Sequence, residues 1–320
     1  MKLTHTLITA MLCLVTALGY AQTKKNRVNY RFATQPEAQM LITDIDHFTN
    51  GLNQFDICAR LEDPNGRKSQ YLSVAMNSAM TWSDQDKARI DKAMKELEVA
   101  MRRLQVKVEF PKEVIFVKTK MDEEKGAAAY TRKNWMAFSE QLLSEESDES
   151  IKMLVAHELF HILSRNNPAF RKEVYKTIGF TVMDREILFP ADLIERRISN
   201  PDIILYDNYA TFQIEGKEQK CTMIIYTEHP YAGGSMLGYM KVGFVPLNDQ
   251  LVPIQEDGKT IIYPMNKVDN LYQVVGENTN LTINPEEILA ENFAALLLGT
   301  KDMPTPELLS KVLSALYKEY

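Results

Sequence analysis

Two histidines and a glutamate in the stretch His157-Glu158-Leu159-Phe160-His161 are the residues of this sequence best suited to chemistry. An α-helix returns to the same face about every 3.6 residues, so imidazoles four apart stand one above the other. They can grip a single ion, with the Glu158 carboxylate beside it. The spacing H-E-x-x-H reads as a pair of zinc ligands accompanied by a general base. A catalytic zinc takes three protein ligands and keeps a fourth position for water, whose pKa the ion lowers to about 7. Glu158 is then placed to take a proton from that water as it attacks a carbonyl, and to hand it to the departing amine.

The third ligand has to come from elsewhere. The metzincin extension H-E-x-x-H-x-x-G-x-x-H is excluded, because the glycine and final histidine positions hold Ser164 and Asn167. Of the other histidines beyond the N-terminal segment, His47 and His229 have no ligand-like spacing and read as structural or surface residues. Downstream lies Asn284-Pro285-Glu286-Glu287-Ile288-Leu289-Ala290-Glu291-Asn292-Phe293, a segment with the signals of a helix start. Asn284 reads as its N-cap and Pro285 as its first residue, which puts Glu287 at the position where a glutamate often closes a capping box. Glu286 and Glu291 are the alternative donors.

Together these two segments resemble the gluzincins, the thermolysin-like zinc metallopeptidases, in which a later helix supplies a glutamate ligand followed four residues on by an acid. The resemblance implies zinc held by His157, His161 and Glu287, with Glu158 catalytic and Glu291 accepting a hydrogen bond from a ligand imidazole. Residues four apart share a helix face, so Glu287 and Glu291 can act together. Here the second acid is glutamate where the familiar members carry aspartate, and the spacer from His161 to Glu287 is longer than in thermolysin. Long spacers are tolerable because loop-closure cost grows slowly with length. The resemblance also implies a zincin-like catalytic unit acting on a peptide or protein substrate, laid along an edge strand just before the active helix. Ala127-Ala128-Ala129-Tyr130-Thr131 fits that strand, since small side chains let another backbone approach. Tyr226, His229, Tyr231 and Tyr263 are donors to weigh for a developing oxyanion, but each reads better as a packed or surface residue.

These residues need positioning elements, and the sequence supplies mixed signals of an α+β fold. Ser83 caps an amphipathic helix to about Leu104, with Ile90, Met94, Leu97 and Met101 on one face. Val114–Val117 reads as a buried strand, and Ala127–Thr131 and Trp135–Phe138 as two more. Serines and acids over 144–150 cap the active helix, expected over 148–165, and Asn166-Asn167-Pro168 stops it. A helix is expected from Glu37 to Asn50. From 181 to 276 the chain turns strand-rich, with short runs at Ile203–Leu205, Thr211–Ile214, Cys221–Tyr226, Val242–Val245 and Ile261–Tyr263. Helices return at Pro285–Leu298 and from about Pro306 to Tyr317. The expected organisation is residues 1–21 as a signal peptide, 22–180 as an α+β part with the active helix, 181–276 as a strand-rich insertion, and 277–320 as a helical part returning Glu287.

Composition sets the context. With 320 residues, 45% hydrophobic and 25% charged, the chain can bury a sizeable core. A net charge of −6 offers no basic patch, which argues against nucleic acid and acidic membrane surfaces as partners. Lys2, the apolar run Leu7–Leu18 and Gly19-Tyr20-Ala21 read as a cleavable secretory signal, and no later run approaches a membrane span. Cys13 lacks the small residues that precede a lipid-modified cysteine. Cys58 and Cys221 then remain, to pair in an oxidising compartment or to stay as separate buried thiols. The expectation is a secreted or periplasmic bacterial zinc metallopeptidase. The alternatives are a zinc-stabilised, non-catalytic scaffold of the cell envelope and a metal-free binding module.

Overall fold

The computed structural model describes residues 27–320, and the expected signal segment lies outside the described residues. In chain order come β1 (Tyr30–Phe32), α1 (Gln35–Ile42), α2 (His47–Gly51), α3 (Gln54–Leu61), α4 (Lys68–Ser78), β2 (Ala79–Met80), α5 (Asp84–Arg103) and β3 (Val114–Thr119). Then follow β4 (Ala129–Arg132), β5 (Trp135–Ser139), α6 (Glu140–Glu145), α7 (Asp148–Asn166), α8 (Pro168–Lys176), β6 (Thr181–Val182) and α9 (Ala191–Arg196). The last part holds β7 (Asn208–Ile214), β8 (Lys217–Tyr226), β9 (Lys241–Pro246), β10 (Gln255–Glu256), β11 (Lys259–Thr260), β12 (Tyr263–Pro264), α10 (Leu271–Val275), α11 (Pro285–Leu298) and α12 (Pro306–Leu316). The fold is mixed α+β. No helix among the described residues is long and apolar enough to cross a membrane.

The first sheet runs in the order β1-β3-β5-β4, with β2 pairing the far end of β3. β1, β3 and β5 are parallel, while β4 returns antiparallel to β5 and ends the sheet. Successive residues of a strand face opposite sides, and β3 divides accordingly. Val114 and Phe116 enter the main core, whereas Ile115 and Val117 pack beneath α1 and α4 with Ala38, Ile42 and Ala75. A strand buried on both faces reads as a continuous apolar run, which is why it is visible in sequence.

The second sheet, antiparallel throughout, has the order β12-β9-β8-β7-β6 and occupies the stretch expected to be strand-rich. Glu215 and Gly216 join β7 to β8 with φ of 52° and 76°, the left-handed pair that a two-residue hairpin turn requires. This sheet shares the core of the rest of the chain: Phe212, Met223 and Phe244 belong to one cluster with Phe160, Phe170, Leu289 and Phe293. Ile203–Leu205 is not a strand. Asn200 to Ile203 forms a tight turn instead, and the chain beyond it runs irregularly to β7. Cys58 and Cys221 are both buried free thiols.

The helix expected over Glu37–Asn50 is two helices. Arg132 reaches into the break, donating to Ile42 O at 2.9 Å, Asp44 O at 2.9 Å and Thr49 Oγ1 at 2.8 Å. Asp46, ion-paired with the same guanidinium, caps α2 by accepting from Thr49 N at 3.0 Å. The carbonyls freed by the break are thus satisfied by a buried cation.

Candidate metal centre

α7 is held in place at both ends. Ser147 accepts from Ser150 N at 3.1 Å, and Asp148 and Glu149 sit in the first turn, where the helix dipole favours negative charge. Asn167 then ends the helix ahead of Pro168. Residues Val155 to Ser164 are all buried, because α7 lies between the first sheet, α5, α8 and α11. α11 begins as expected, with Asn284 Oδ1 accepting from Glu286 N at 3.0 Å and Pro285 in first place, and it ends at Gly299 with φ of 68°. The packing of α7 on α11 brings the two candidate segments together.

One donor atom from each of His157, His161 and Glu287 lies within 4.8 Å of the others. His157 Nε2 is 3.2 Å from Glu287 Oε2, and His161 Nε2 is 3.9 Å from the same oxygen. Each imidazole is held by its other nitrogen: His157 Nδ1 lies 3.0 Å from Glu291 Oε1, and His161 Nδ1 lies 3.1 Å from Glu286 Oε1. A carboxylate at Nδ1 fixes the tautomer and leaves Nε2 as the lone-pair donor. His161 Nε2 is buried with no hydrogen-bond partner, although buried polar atoms are nearly always satisfied. Two imidazole nitrogens and a carboxylate oxygen converge with one nitrogen orphaned, a donor set that could hold a metal ion. His157 is 7% exposed, Glu287 4%, Glu158 2% and His161 0%.

The electrostatics favour added positive charge here. Burial disfavours a charged imidazole at His157, yet Glu287 and Glu291 outweigh it and hold that pKa well above the ordinary histidine value. Burial would raise Glu287, but His157 and His161 keep it low. Glu158 is different: burial and then the charge of Asp202 push it up to about 7, against the pull of His161 and His157 and the Thr131 hydroxyl. That hydroxyl donates to Glu158 Oε2 at 2.7 Å.

Every residue of the expected ligand set is therefore brought together, and the extra methylene of Glu291 still reaches His157. Glu287 turns toward His157, leaving the N-cap role to Asn284 alone. Glu286, an alternative ligand by sequence, instead sits behind His161 and also accepts from Ser164 Oγ at 2.9 Å and from the Tyr175 hydroxyl. Tyr175 stacks on Arg171, 4.6 Å from its ring centre, and Arg171 makes a bidentate pair with Asp207 at 2.6 and 2.8 Å. Tyr231 donates to Gly234 O and packs with Tyr226 in a separate cluster. His229 is exposed, and His47 is half exposed beside Glu186.

Sequence reasoning missed Asn200, Asp202 and Arg165, and it placed Thr131 on the edge strand without its contact to Glu158. Asn200 Nδ2 reaches Glu287 Oε1 at 3.4 Å, Thr131 N donates to Asp202 Oδ1 at 2.6 Å, and Arg165 Nη1 donates to Thr131 O at 2.8 Å. Asn200 and Asp202 occupy an irregular turn that no periodicity marks. Arg165 was within reach of inspection, standing four residues after His161 on the active helix. Comparison with known proteins gives no family model, no curated protein and no solved structure that matches this chain.

Proposed function

We propose that this chain is a zinc-dependent metallopeptidase of gluzincin type, built on a zincin-like unit and exported through its N-terminal segment to the periplasm or medium. The observation that carries the reading is the paired arrangement of the imidazoles, each with Nδ1 on a carboxylate and Nε2 directed at Glu287 Oε2. His157, His161 and Glu287 would hold the ion. Bound there, zinc supplies Lewis acidity toward a carbonyl and makes water acidic enough to react near neutral pH.

The chain's own residues do the rest. Glu291 and Glu286 keep the ring protons on Nδ1 and so keep the Nε2 lone pairs pointed inward. Glu158 takes one proton from the attacking water, whose oxygen joins the carbonyl carbon, and delivers it to the nitrogen as the C–N bond breaks. Thr131 orients that carboxylate through its hydroxyl.

A second reading, a metal-stabilised scaffold, draws on the depth of the donor set, in which His161 is fully buried. Glu158→Gln separates the two. The peptidase reading expects zinc-loaded wild type to cleave a mixed peptide library and the variant to keep its zinc while losing about 10²–10⁴-fold in rate. Zinc retention without cleavage by either protein favours the scaffold.

A further inference from the structure

The free edge of β4 is closed at one end by the chain itself. Ser139 N donates to Ala128 O at 3.0 Å, so residues 128, 130 and 132 turn their backbone groups inward to β5. Ala129 and Thr131 turn theirs outward, where an added strand would pair. At Thr131 both outward groups are taken, the N–H by Asp202 Oδ1 at 2.6 Å and the C=O by Arg165 Nη1 at 2.8 Å. Residues 127–129 stay partly exposed with only methyl side chains.

The blocking turn is fixed from behind. Asp56 accepts from Ser199 N at 2.8 Å and Ser199 Oγ at 2.7 Å, and Arg60 donates to Ser199 O at 2.7 Å. An extended chain laid on Ala127–Ala129 therefore stops at Thr131, the residue whose hydroxyl holds Glu158. At this end Asp202, 9% exposed, approaches the Glu158 carboxylate within 4.8 Å. Its Oδ1 takes the Thr131 N–H, and the nearby Arg165 gives its hydrogen bonds to the carbonyls of Thr131, Pro201 and Asp202 rather than to this carboxylate.

We propose that the Asn200–Asp202 turn makes this site an exopeptidase for peptide amino termini: it ends the substrate edge at Thr131 and offers the Asp202 carboxylate to the terminal ammonium. The inference rests on the peptidase reading above. Water adds across the first peptide bond, its hydroxyl to the carbonyl carbon and its proton to the released nitrogen, so a single residue leaves together with a shortened peptide. A terminal carboxylate at the same place would meet two acids and no uncommitted cation.

The test uses the full zinc-loaded chain and one unstructured peptide in three forms: both ends free, amino end acetylated, and carboxyl end amidated. Mass spectrometry should show stepwise loss from the amino end in the first and third, and a loss of rate on the order of 10²-fold or more on acetylation. In Asp202→Ala that ratio should collapse toward one. Internal cleavage of the acetylated peptide at a comparable rate, or trimming from the carboxyl end, overturns the inference while leaving the peptidase reading intact. An unchanged acetylation ratio in a folded Asp202→Ala protein overturns the role of Asp202. Failure to cleave any of the three forms removes the peptidase reading and the inference with it.

Discussion

A histidine ligand is only as good as the group that holds its other nitrogen, and here two different glutamates do that work. Glu291 stands behind His157 and Glu286 behind His161, while Glu287 between them in the helix faces both Nε2 atoms. Replacing either supporting acid by glutamine keeps the ligands but weakens the acceptor at Nδ1. Glu286→Gln and Glu291→Gln should each lower zinc affinity by about 10–100-fold, measurable by competition with a chromophoric chelator. Wild-type affinity in both would sever the link between these acids and the metal. The proposed donors and one supporting acid are legible in sequence, because helical spacing alone aligns His157 with His161 and Glu287 with Glu291. Glu286 reads from sequence as an alternative metal donor, and its place behind His161 Nδ1 is not legible there, since which side of a helix meets a partner depends on packing. Asp202 left no trace at all: it comes 41 residues after His161 in an irregular turn, and only the fold returns it to Thr131.

The elements that position these residues owe much to buried charges. α5 begins with a capping box in which Ser83 and Asp86 satisfy each other's backbone, and Asp86 also accepts from the buried Lys118 of β3 at 2.9 Å. Burial alone would raise the Asp86 pKa, but Lys118 and Ser83 outweigh it and hold it below its ordinary 3.8. A carboxylate depressed on folding contributes stability that is present above its unfolded pKa and lost as pH falls through the folded one. Asp86→Asn should therefore flatten the fall in stability below about pH 4, as read from urea midpoints across an acid series. An unaltered acid limb would show that this pair is not what acid breaks. Capped, amphipathic elements such as α5 could be read from sequence because the cap and the apolar face agree. The break between α1 and α2 could not, since its cause is Arg132, a residue 90 positions beyond Ile42.

At the scale of the molecule one core joins the first sheet, the α7–α11 pair and the second sheet. The strand-rich stretch was recognisable from its alternating runs and glycine turns, but nothing in it revealed that it would share a core with the active helix. That depends on contacts such as Phe212 with Phe180 and Phe244, at ring separations of 6.0 and 5.0 Å. A shared core predicts one cooperative transition that moves as a whole when zinc binds. Zinc at about 100 times its dissociation constant should add roughly 2.7 kcal/mol, and the sheet and helix signals should shift together. Phe212→Ala, remote from the donor set, should cost about 3–5 kcal/mol and lower the same transition. Two separate transitions, with only one sensitive to zinc, would contradict a common core.

The central claim is that His157, His161 and Glu287 hold one zinc between α7 and α11. Metal analysis of purified wild type and Glu287→Ala tests it most directly. The account predicts about one zinc per chain in the wild type and its loss in the variant, with the variant still folded. Full zinc retention in Glu287→Ala would contradict it.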